Sequence, residues 1–471
     1  MDSNYTRRSA LKSSIGSSKV ERRKLGNALR DKCPRSSQGE WKPRPKSQDI
    51  VDLLEESDAD RIPGLIPVKY QRMSVSPFTF FRGAAIIQAR DLAHASVSGI
   101  TVQACGDCHL ANFGGFASPE RRLVFDINDF DETFPGPWEW DVKRLGASLV
   151  LAARDRGFAK TDADQAVRAA VGAYRGRMAE FAEMKVLETW YAQVTFDAVQ
   201  EYFRKDPDVS ARLTKRRKQA QSQTSESVIP KLTAVVDGSR KIRDNVPVIY
   251  HFQEFAPDFA TQNAKFIEDY KNSLHTDRRQ VFERFRWQDT AIKVVGVGSV
   301  GTRCYLALFL ADDDDPLFLQ IKEARRSVLE PPGGKSRHSH QGSRVVAGQR
   351  VMQAASDIFL GWCRTKHHDY YVRQFRDMKI SAEIETFRPA TLDGYAILCG
   401  WTLARAHAKA GDAPMIAGYL GSTDQFDNAL AKYSGAYADQ AERDFAIFQK
   451  AIRSGRLSTE PPKDAGLEFL L

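Results

Sequence analysis

The chain has 471 residues, of which 42% are hydrophobic and 27% are charged, and these values lie in the ordinary range of globular proteins. Its net charge of +9 would suggest a nucleic-acid-binding protein, but residues 1–50 hold 13 Lys and Arg against 5 Asp and Glu. The rest of the chain is nearly neutral, which argues against a specific nucleic-acid domain. The composition predicts instead a disordered basic tail over residues 1–25 that contacts anionic surfaces without specificity.

Two further classes of protein are disfavoured by the sequence. No stretch approaches the ~20 apolar residues of a membrane span, and the N-terminus lacks the apolar core of a signal peptide, so we expect a soluble, cytoplasmic protein. Six cysteines are too few for a disulfide framework in a chain of this size. Cys105 and Cys108 match C-x-x-C, but no second pair follows. Buried thiols are therefore favoured over zinc or redox chemistry, and a thiol redox protein is kept as an alternative.

The spacing of apolar residues predicts a succession of helices and strands after the Pro-rich segment 41–67. In chain order these are a helix over 84–95, strands over 100–104 and 122–127, helices over 140–154, 161–205 and 258–285, and a change to β character at 291–295. The polar, basic segment 206–247 is either an inserted helix pair or a mobile connection. A boundary between two lobes is predicted near residue 290.

A glycine-rich motif lies between two runs of β character and consists of Gly296, Gly298, Ser299 and Gly301. The pattern G-x-G-x-x-G also occurs in dinucleotide-binding proteins, where the glycines open a helix. Here a second strand follows instead, which predicts a hairpin able to fold over the phosphates of a nucleotide. We therefore assign these four residues to nucleotide binding.

Lys322 ends the third strand of this half of the chain, predicted over 317–322. A lysine in this position can reach the α- and β-phosphates of ATP, although a strand-end lysine by itself is more often an exposed side chain. A helix over 343–356 and strands over 358–362 and 370–375 follow. Five strands with one helix after the third resemble the small lobe of a kinase.

The usual partner of this lysine, a Glu on the helix, is missing from the sequence. Gln349, Gln353 and Asp357 share one face of the helix. Gln349 offers Lys322 a hydrogen bond in place of the ion pair and joins the candidate nucleotide-binding residues. Glu323 follows Lys322 and points to the opposite face of the strand. Because the Glu is absent, an inactive scaffold that binds a nucleotide is an alternative to an active kinase.

A second motif, earlier in the chain, carries Asp107 and Asn112 five residues apart. At this spacing a kinase catalytic loop presents a carboxylate to the substrate hydroxyl and an amide oxygen to Mg²⁺. An acidic run follows, in which Asp129 and Asp131 best match a metal-binding motif and Asp126 is the rival assignment. A solvated acidic turn is the alternative interpretation of this run.

Three neighbouring residues have both a structural and a functional interpretation. Asp141 resembles the structural Asp that holds the catalytic loop of small-molecule kinases. His109 is more often a structural histidine than a metal ligand or proton shuttle, because phosphoryl transfer needs mainly positioning and charge. Arg82 is either a phosphate clamp or an arginine in a surface salt bridge.

The two motifs occur in the reverse of the usual order. In kinases the glycine loop and its lysine precede the catalytic Asp, whereas here Asp107 precedes the glycine motif. The helical stretch 398–409 resembles the helix that comes before the catalytic loop in aminoglycoside and choline kinases. The expected continuation of that helix is found at Gly106 and Asp107. The order therefore suggests a circularly permuted kinase-like fold.

Taken together, the runs 76–78, 106–114, 128–133, 294–301 and 344–350 resemble the uncharacterised bacterial family called domain of unknown function 2252. The similarity extends from about Gly26 to the C-terminus. The family name implies no reaction, and the kinase-like relation is what the motif order implies.

We therefore expect an α+β protein with a two-lobed, circularly permuted kinase-like fold. Its expected parts are the tail over 1–25, a mostly helical large lobe with the catalytic loop over 26–290, a five-stranded small lobe over 291–380, and C-terminal helices over 381–471 that complete the large lobe.

The expected activity is ATP- and Mg²⁺-dependent transfer of phosphate to an unidentified hydroxyl or amino acceptor, with a small molecule slightly favoured over a protein. Asp107, Asn112 and Lys322 are the expected catalytic residues, and Asn112 and Asp129 the principal metal ligands. The alternatives are a nucleotide-binding pseudokinase and a nucleotidyl transferase that attaches AMP. The sequence leaves the acceptor and the oligomeric state open.

Overall fold

The computed structural model of the protein describes residues 16–44, 48–222, 225–246, 248–251, 259–312, 315–375 and 378–460. It is a mixed α+β structure in which helices surround small antiparallel sheets. The helices are α1 (Lys19–Lys32), α2 (Ile50–Asp58), α3 (Ile66–Met73), α4 (Pro77–Gly83), α5 (Ala85–Leu92), α6 (Trp138–Asp155), α7 (Lys160–Glu183), α8 (Val186–Tyr191), α9 (Phe196–Tyr202), α10 (Pro207–Gln221), α11 (Ser225–Leu232), α12 (Phe259–Ser273), α13 (Thr276–Phe282), α14 (Glu330–Gly333), α15 (Gln341–Met352), α16 (Pro389–Ala410), α17 (Ala413–Leu420) and α18 (Gln425–Arg453).

The strands alternate with these helices along the chain. They are β1 (Thr101–Ala104), β2 (Phe113–Ala117), β3 (Leu123–Ile127), β4 (Phe134–Pro137), β5 (Thr233–Val236), β6 (Ser239–Ile242), β7 (Ile249–Tyr250), β8 (Arg286–Lys293), β9 (Cys304–Leu310), β10 (Pro316–Glu323), β11 (Gly361–Arg364), β12 (Asp369–Gln374) and β13 (Ile380–Ser381).

The largest sheet is antiparallel and has the strand order β11-β12-β10-β9-β8-β7. It contains the five strands predicted for this half of the chain, and α15 follows the third of them as expected. The expectation of five strands is nevertheless wrong, because β7 adds a sixth through the pairing of Ile249 with Lys293. A strand of two residues is too short to produce a periodic signal in the sequence. The sheet therefore begins upstream of residue 291, where the small lobe was expected to start.

Two smaller sheets place the early motifs side by side. β1 pairs with β4, and β13 pairs with β2, which pairs with β3. The loop that carries Asp107 and Asn112 runs from β1 to β2, and the acidic run runs from β3 to β4. Because β2 and β3 are paired, both loops leave the same end of the hairpin. Asn128 N donates to Asn112 O at 2.8 Å, which joins the two loops directly.

The main helical core forms where α6, α7, α16 and α18 pack together. Trp138 is fully buried and its ring stacks on Tyr174 with centroids 5.5 Å apart. α7 and α16 approach closely at Gly400, where a Cβ atom would lie 2.0 Å from the carbonyl oxygen of Ala170. Burial of these apolar faces stabilises the helices that hold the early motifs.

The N-terminal part of the chain departs from the sequence expectation. Residues 19–25 of the predicted disordered tail belong to α1, which starts with a capping box between Ser18 and Glu21. Arg30 of this helix donates to the carbonyl oxygens of Gly418 and Tyr419, so α1 is docked on α17. Residues 16–18 lead into this helix, and residues 1–15 of the predicted tail lie outside the described residues.

Among the described residues, no helix is both long and apolar enough to cross a bilayer.

Candidate functional site

The loop that carries Asp107 is held by Asp141, in the first turn of α6. Asp141 Oδ2 accepts a hydrogen bond from the backbone N–H of Cys105 at 2.6 Å, and Oδ1 accepts one from Gly106 at 3.0 Å. His407 Nε2 of α16 lies 3.1 Å from the same carboxylate. The structural role that the sequence suggested for Asp141 is confirmed by these contacts.

The two carboxylate oxygens of Asp107 have different surroundings. Arg144 Nε and Nη2 lie 2.8 Å and 2.7 Å from Oδ1, whereas Oδ2 faces His109 Nε2 at 3.8 Å. Asn112 Nδ2 donates to the carbonyl oxygen of Asp107 at 2.7 Å, which leaves the amide oxygen of Asn112 available as a ligand. Burial lowers the pKa of His109 to about 4, so this ring is neutral at pH 7.

Lys322 joins the late motif to the acidic run. Its Nζ lies 2.5 Å from Asp131 Oδ2 and 3.4 Å from Asp129 Oδ2. Tyr371 OH donates to Asp131 Oδ1 at 2.6 Å, and Ser299 Oγ of the glycine motif donates to Asp131 Oδ2 at 3.4 Å. Three segments that are far apart in the sequence therefore converge on one pair of carboxylates.

The charges of this cluster shift the pKa values of the two carboxylates in opposite directions. Burial opposes ionisation of Asp129, but the Lys322 ammonium and the Arg373 guanidinium hold the pKa of Asp129 well below its usual range. Burial and the charge of Asp129 raise the pKa of Asp131. Lys322 is itself buried, yet the two acids raise the pKa of its ammonium. The Lys322 side chain is only 3% exposed, whereas the Asp129 and Asp131 side chains are 31% and 29% exposed, so the acids face the solvent side of the cluster.

The glycine loop, residues 294–303, connects β8 to β9. Gly296 and Gly301 adopt φ values of +69° and +86°, a left-handed conformation that favours glycine. The N-terminal segment fixes the loop from outside, because Ile62 N donates to Gly301 O at 2.8 Å and Arg72 Nη1 donates to Gly296 O at 2.5 Å. These bonds hold the loop in place, and its Ser299 contacts Asp131; phosphate binding by the loop stays a prediction.

Asp126 does not belong to this cluster. It is fully buried, its Oδ1 accepts from Arg405 Nη2 at 2.7 Å, and its Oδ2 accepts from Ala354 N at 2.8 Å. A carboxylate that is satisfied inside the core has no lone pair directed at a ligand. Asp126 is therefore a core residue and not a candidate metal ligand, whereas metal binding by Asp129 stays a prediction.

Gln349 also has a different partner from the one expected. Its Nε2 donates to Gln353 Oε1 at 2.9 Å, and Gln353 Nε2 donates to the carbonyl oxygen of Ile127 at 2.8 Å. Gln349 therefore supports the end of β3 from within α15, while Lys322 pairs with Asp131. Glu323 points away from the cluster to Arg303, as its alternation in β10 predicted.

Sequence reasoning missed the residues that β12 and the chain after it contribute. Tyr371 is paired with Lys322 in the sheet, and Arg373 with Gln320, so both lie on the cluster side of β12. Lys379, on the chain after β12, is exposed to solvent and lies close enough to Arg373, Asp129 and Lys322 for their charges to interact. The sequence predicted a strand over 370–375, but its register against β10 could not be predicted.

The C-x-x-C pair gives no support to redox or zinc chemistry. Cys105 and Cys108 are fully buried free thiols. Burial raises the pKa of Cys108 well above its usual value, which disfavours the reactive thiolate.

A divalent cation such as Mg²⁺ needs several oxygen ligands. Within the described ranges, no group of three or more His, Cys, Asp and Glu side chains forms a metal site. Asp129, Asp131 and the amide oxygen of Asn112 are nevertheless the oxygen donors that Mg²⁺ prefers, and Mg²⁺ commonly completes its shell with waters and substrate phosphates. The donor set therefore fits a magnesium ion that binds together with a phosphate-bearing substrate.

A family model described as "Uncharacterized protein conserved in bacteria (DUF2252)" matches residues 61–451. The chain belongs to this family. The candidate site of this DUF2252 protein lies wholly within the matched region, including the glycine loop and both early motifs. No curated protein and no solved structure was found to match the chain.

Proposed function

We propose that the protein is an ATP- and Mg²⁺-dependent phosphotransferase with a two-lobed, circularly permuted kinase-like fold. The small lobe would comprise the six-stranded sheet with α15, and the large lobe would comprise the early motifs and the surrounding helices. The acceptor would be a hydroxyl or amino compound, with a small molecule favoured over a protein.

The observation that carries this proposal is the cluster around Lys322. A strand-end lysine, a metal-binding pair of carboxylates and a serine of the glycine loop meet within hydrogen-bond distance, although 191 residues separate Lys322 from Asp131. This combination of a fixed cation, oxygen ligands and a glycine turn is what phosphoryl transfer needs, because its catalysis is mainly positioning and charge stabilisation.

The permutation is supported by how α16 ends. His407 of α16 contacts Asp141, and a Cβ atom on Gly411 would lie 2.5 Å from Val102 Cγ1 in β1. β1 leads directly to Asp107. The end of the helix that resembles the one before a kinase catalytic loop is therefore next to the start of the strand that enters the proposed loop. A direct connection between them would restore the usual kinase order.

Each residue then has a defined task. The glycine loop and Lys322 bind the nucleotide phosphates, and Asp107 Oδ2 orients the acceptor and receives its proton. Asn112, Asp129 and Asp131 would hold Mg²⁺, which when bound neutralises phosphate charge. Arg144 fixes the direction of Asp107 through Oδ1.

A nucleotide-binding pseudokinase is the second candidate. It is favoured by one observation, that Lys322 pairs with Asp131 of the metal motif and not with an acid on α15. In active kinases the lysine is held by a Glu of that helix. Binding without turnover would support this candidate.

The test is calorimetry of Mg²⁺-ATP binding to the wild type, Lys322→Ala, Asp129→Ala and the control Lys366→Ala, whose side chain is exposed in the turn before β12. We expect weaker binding in the first two variants and wild-type binding in the control. Transfer of γ- and α-phosphate label, followed in the same samples, distinguishes a kinase from a nucleotidyl transferase. A wild type that binds no nucleotide refutes the proposal.

A further inference from the structure

Arg82 is an arginine whose binding capacity the fold leaves unused. It lies in the last turn of α4, and its buried Nε has no hydrogen-bond partner within the described part of the chain. No ion pair of its guanidinium is found among these residues either; the nearest aromatic contact places its Cζ 5.6 Å from the Phe78 ring. A buried N–H donor without a partner is destabilising, and a ligand that supplied an acceptor would remove this penalty.

The position of Arg82 links the two halves of the site. Its carbonyl oxygen is 3.0 Å from where a Cβ atom on Gly298 would lie, so α4 packs directly against the glycine loop. Its side chain is close enough to Asp107 and His109 for the charge of its guanidinium to act on both groups. Arg82 therefore lies between the loop proposed to hold the nucleotide phosphates and the carboxylate proposed to orient the acceptor.

Arg144, the other arginine beside Asp107, differs from Arg82 because its guanidinium is held by hydrogen bonds within the protein. Its guanidinium donates to Asp107 Oδ1, to Gln88 Oε1 at 3.1 Å and to Phe81 O at 2.8 Å, and it stacks 3.7 Å above the Phe81 ring. Arg144 is thus saturated by the protein. The ion pair that Asp107 needs is already made, so the charge of Arg82 is left for another anion.

We propose that Arg82 is a catalytic residue that binds the phosphoryl group during its transfer from the nucleotide to the acceptor. This inference rests on the proposed function. In the transfer, the acceptor oxygen or nitrogen forms a bond to the γ-phosphorus. The bond from that phosphorus to the oxygen bridging to the β-phosphate breaks, and its electron pair leaves with ADP. The acceptor proton passes to Asp107 Oδ2. The Arg82 guanidinium stabilises the negative charge on the moving group's oxygens, as an arginine supplied in cis does in other phosphotransferases.

The experiment uses the full chain with Arg82→Met, Arg82→Lys and the control Arg90→Met, which removes an arginine of α5 that pairs with Glu56 on the surface. Calorimetry measures Mg²⁺-ADP affinity with and without aluminium fluoride, which mimics the phosphoryl group in transfer. ATP cleavage with water as the acceptor is followed by phosphate release. Thermal unfolding of each variant shows whether it is folded.

We expect Arg82→Met to bind ADP within about twofold of wild type, to lose the tightening caused by aluminium fluoride, and to release phosphate about 10³-fold more slowly. Arg82→Lys keeps the positive charge but lacks the planar guanidinium. Its rate of phosphate release should therefore lie between the rates of wild type and Arg82→Met. Tightening by aluminium fluoride that is equal in wild type and Arg82→Met overturns the inference and leaves the proposed function standing. A folded wild type that binds neither ADP nor ATP overturns both.

Discussion

Lys322 Nζ lies 2.5 Å from Asp131 Oδ2 and 3.4 Å from Asp129 Oδ2, so one ammonium offsets the charge of both carboxylates. A divalent cation bound to the same two acids would perform the same neutralisation. Lysine and metal therefore oppose each other when the metal binds without a nucleotide. When a nucleotide is bound, its phosphates supply further negative charge, so the ammonium and the metal ion no longer compete for the two carboxylates alone.

Replacing Lys322 should consequently have opposite effects on two kinds of binding. Lys322→Met should bind Mn²⁺ about tenfold more tightly than wild type in the absence of nucleotide, a gain of about 1.4 kcal/mol, because the competing ammonium is gone. The same variant should bind Mg²⁺-ATP more weakly. Free Mn²⁺ is measured by electron paramagnetic resonance, with Lys366→Met as the control. Equal Mn²⁺ affinities in wild type and Lys322→Met would contradict this interpretation of the pair.

The Asp126–Arg405 pair should be essential for folding rather than for binding. The two side chains are 0% and 1% exposed and lie 2.7 Å apart, so removal of one partner leaves a buried, uncompensated charge. We expect Arg405→Met to lower the free energy of unfolding by about 3–5 kcal/mol, measured by urea denaturation. The control Arg388→Met breaks the exposed pair with Asp206 and should cost less than about 1 kcal/mol. The double variant with Asp126→Asn should recover part of the loss; no recovery would show that Arg405 acts through other contacts.

His109 should make stability depend on acid pH. Its pKa is lowered by burial from 6.5 to about 4, so the unfolded chain binds more protons than the folded chain between these values. The free energy of unfolding therefore falls as pH falls through this window, by about 2 kcal/mol at pH 5. His109→Gln lacks the titrating group. The difference in unfolding free energy between pH 7 and pH 5 should be smaller in this variant by that amount, and an unchanged difference would place the pKa of His109 near its usual value.

Gly106 should tolerate no side chain, for reasons of packing as well as backbone conformation. Its φ is +92°, and a Cβ atom would lie 2.1 Å from the carbonyl oxygen of Glu132. Gly99 has a similar φ of +90° but nothing within 4 Å of the corresponding position. Gly99→Ala should cost about 1–3 kcal/mol of strain, and Gly106→Ala distinctly more. Thermal unfolding of the two variants isolates the packing contribution, and equal losses would show that the acidic run moves aside easily.

Much of the site was visible in the sequence because its parts are short, local patterns. The spacing of Asp107 and Asn112, the glycine turn between two strands, and a lysine at a strand end each depend on neighbouring residues only. The structure brings Ser299 of the glycine turn and Lys322 into one cluster with Asp129 and Asp131, and the bond from Asn128 N to Asn112 O joins the loop of Asp107 and Asn112 to the acidic run. The strands and the helix α15 also follow from local alternation and periodicity.

The errors concern residues whose roles depend on distant partners. Asp126 and Asp129 look alike in the sequence, and only the approach of Arg405, 279 residues away, makes Asp126 a core residue. Gln349 was expected to bond to Lys322, but it donates to Gln353, which in turn donates to Ile127 O at the end of β3. α1 looked disordered because its apolar content is low, and its order depends on docking against α17.

By itself, therefore, the sequence determined which residues could carry phosphate chemistry and which secondary structure presents them, because capping, alternation and turn formation are local interactions. The tertiary structure decided that Asp129 and Asp131 stay partly exposed, that Lys322 pairs with them, and that the Nε of Arg82 has no hydrogen-bond partner among the described residues. These outcomes depend on contacts between residues hundreds of positions apart, and a pattern within a short stretch of sequence cannot predict such contacts. The ion pair of Lys322 with Asp131 is of this kind, since 191 residues separate its two members.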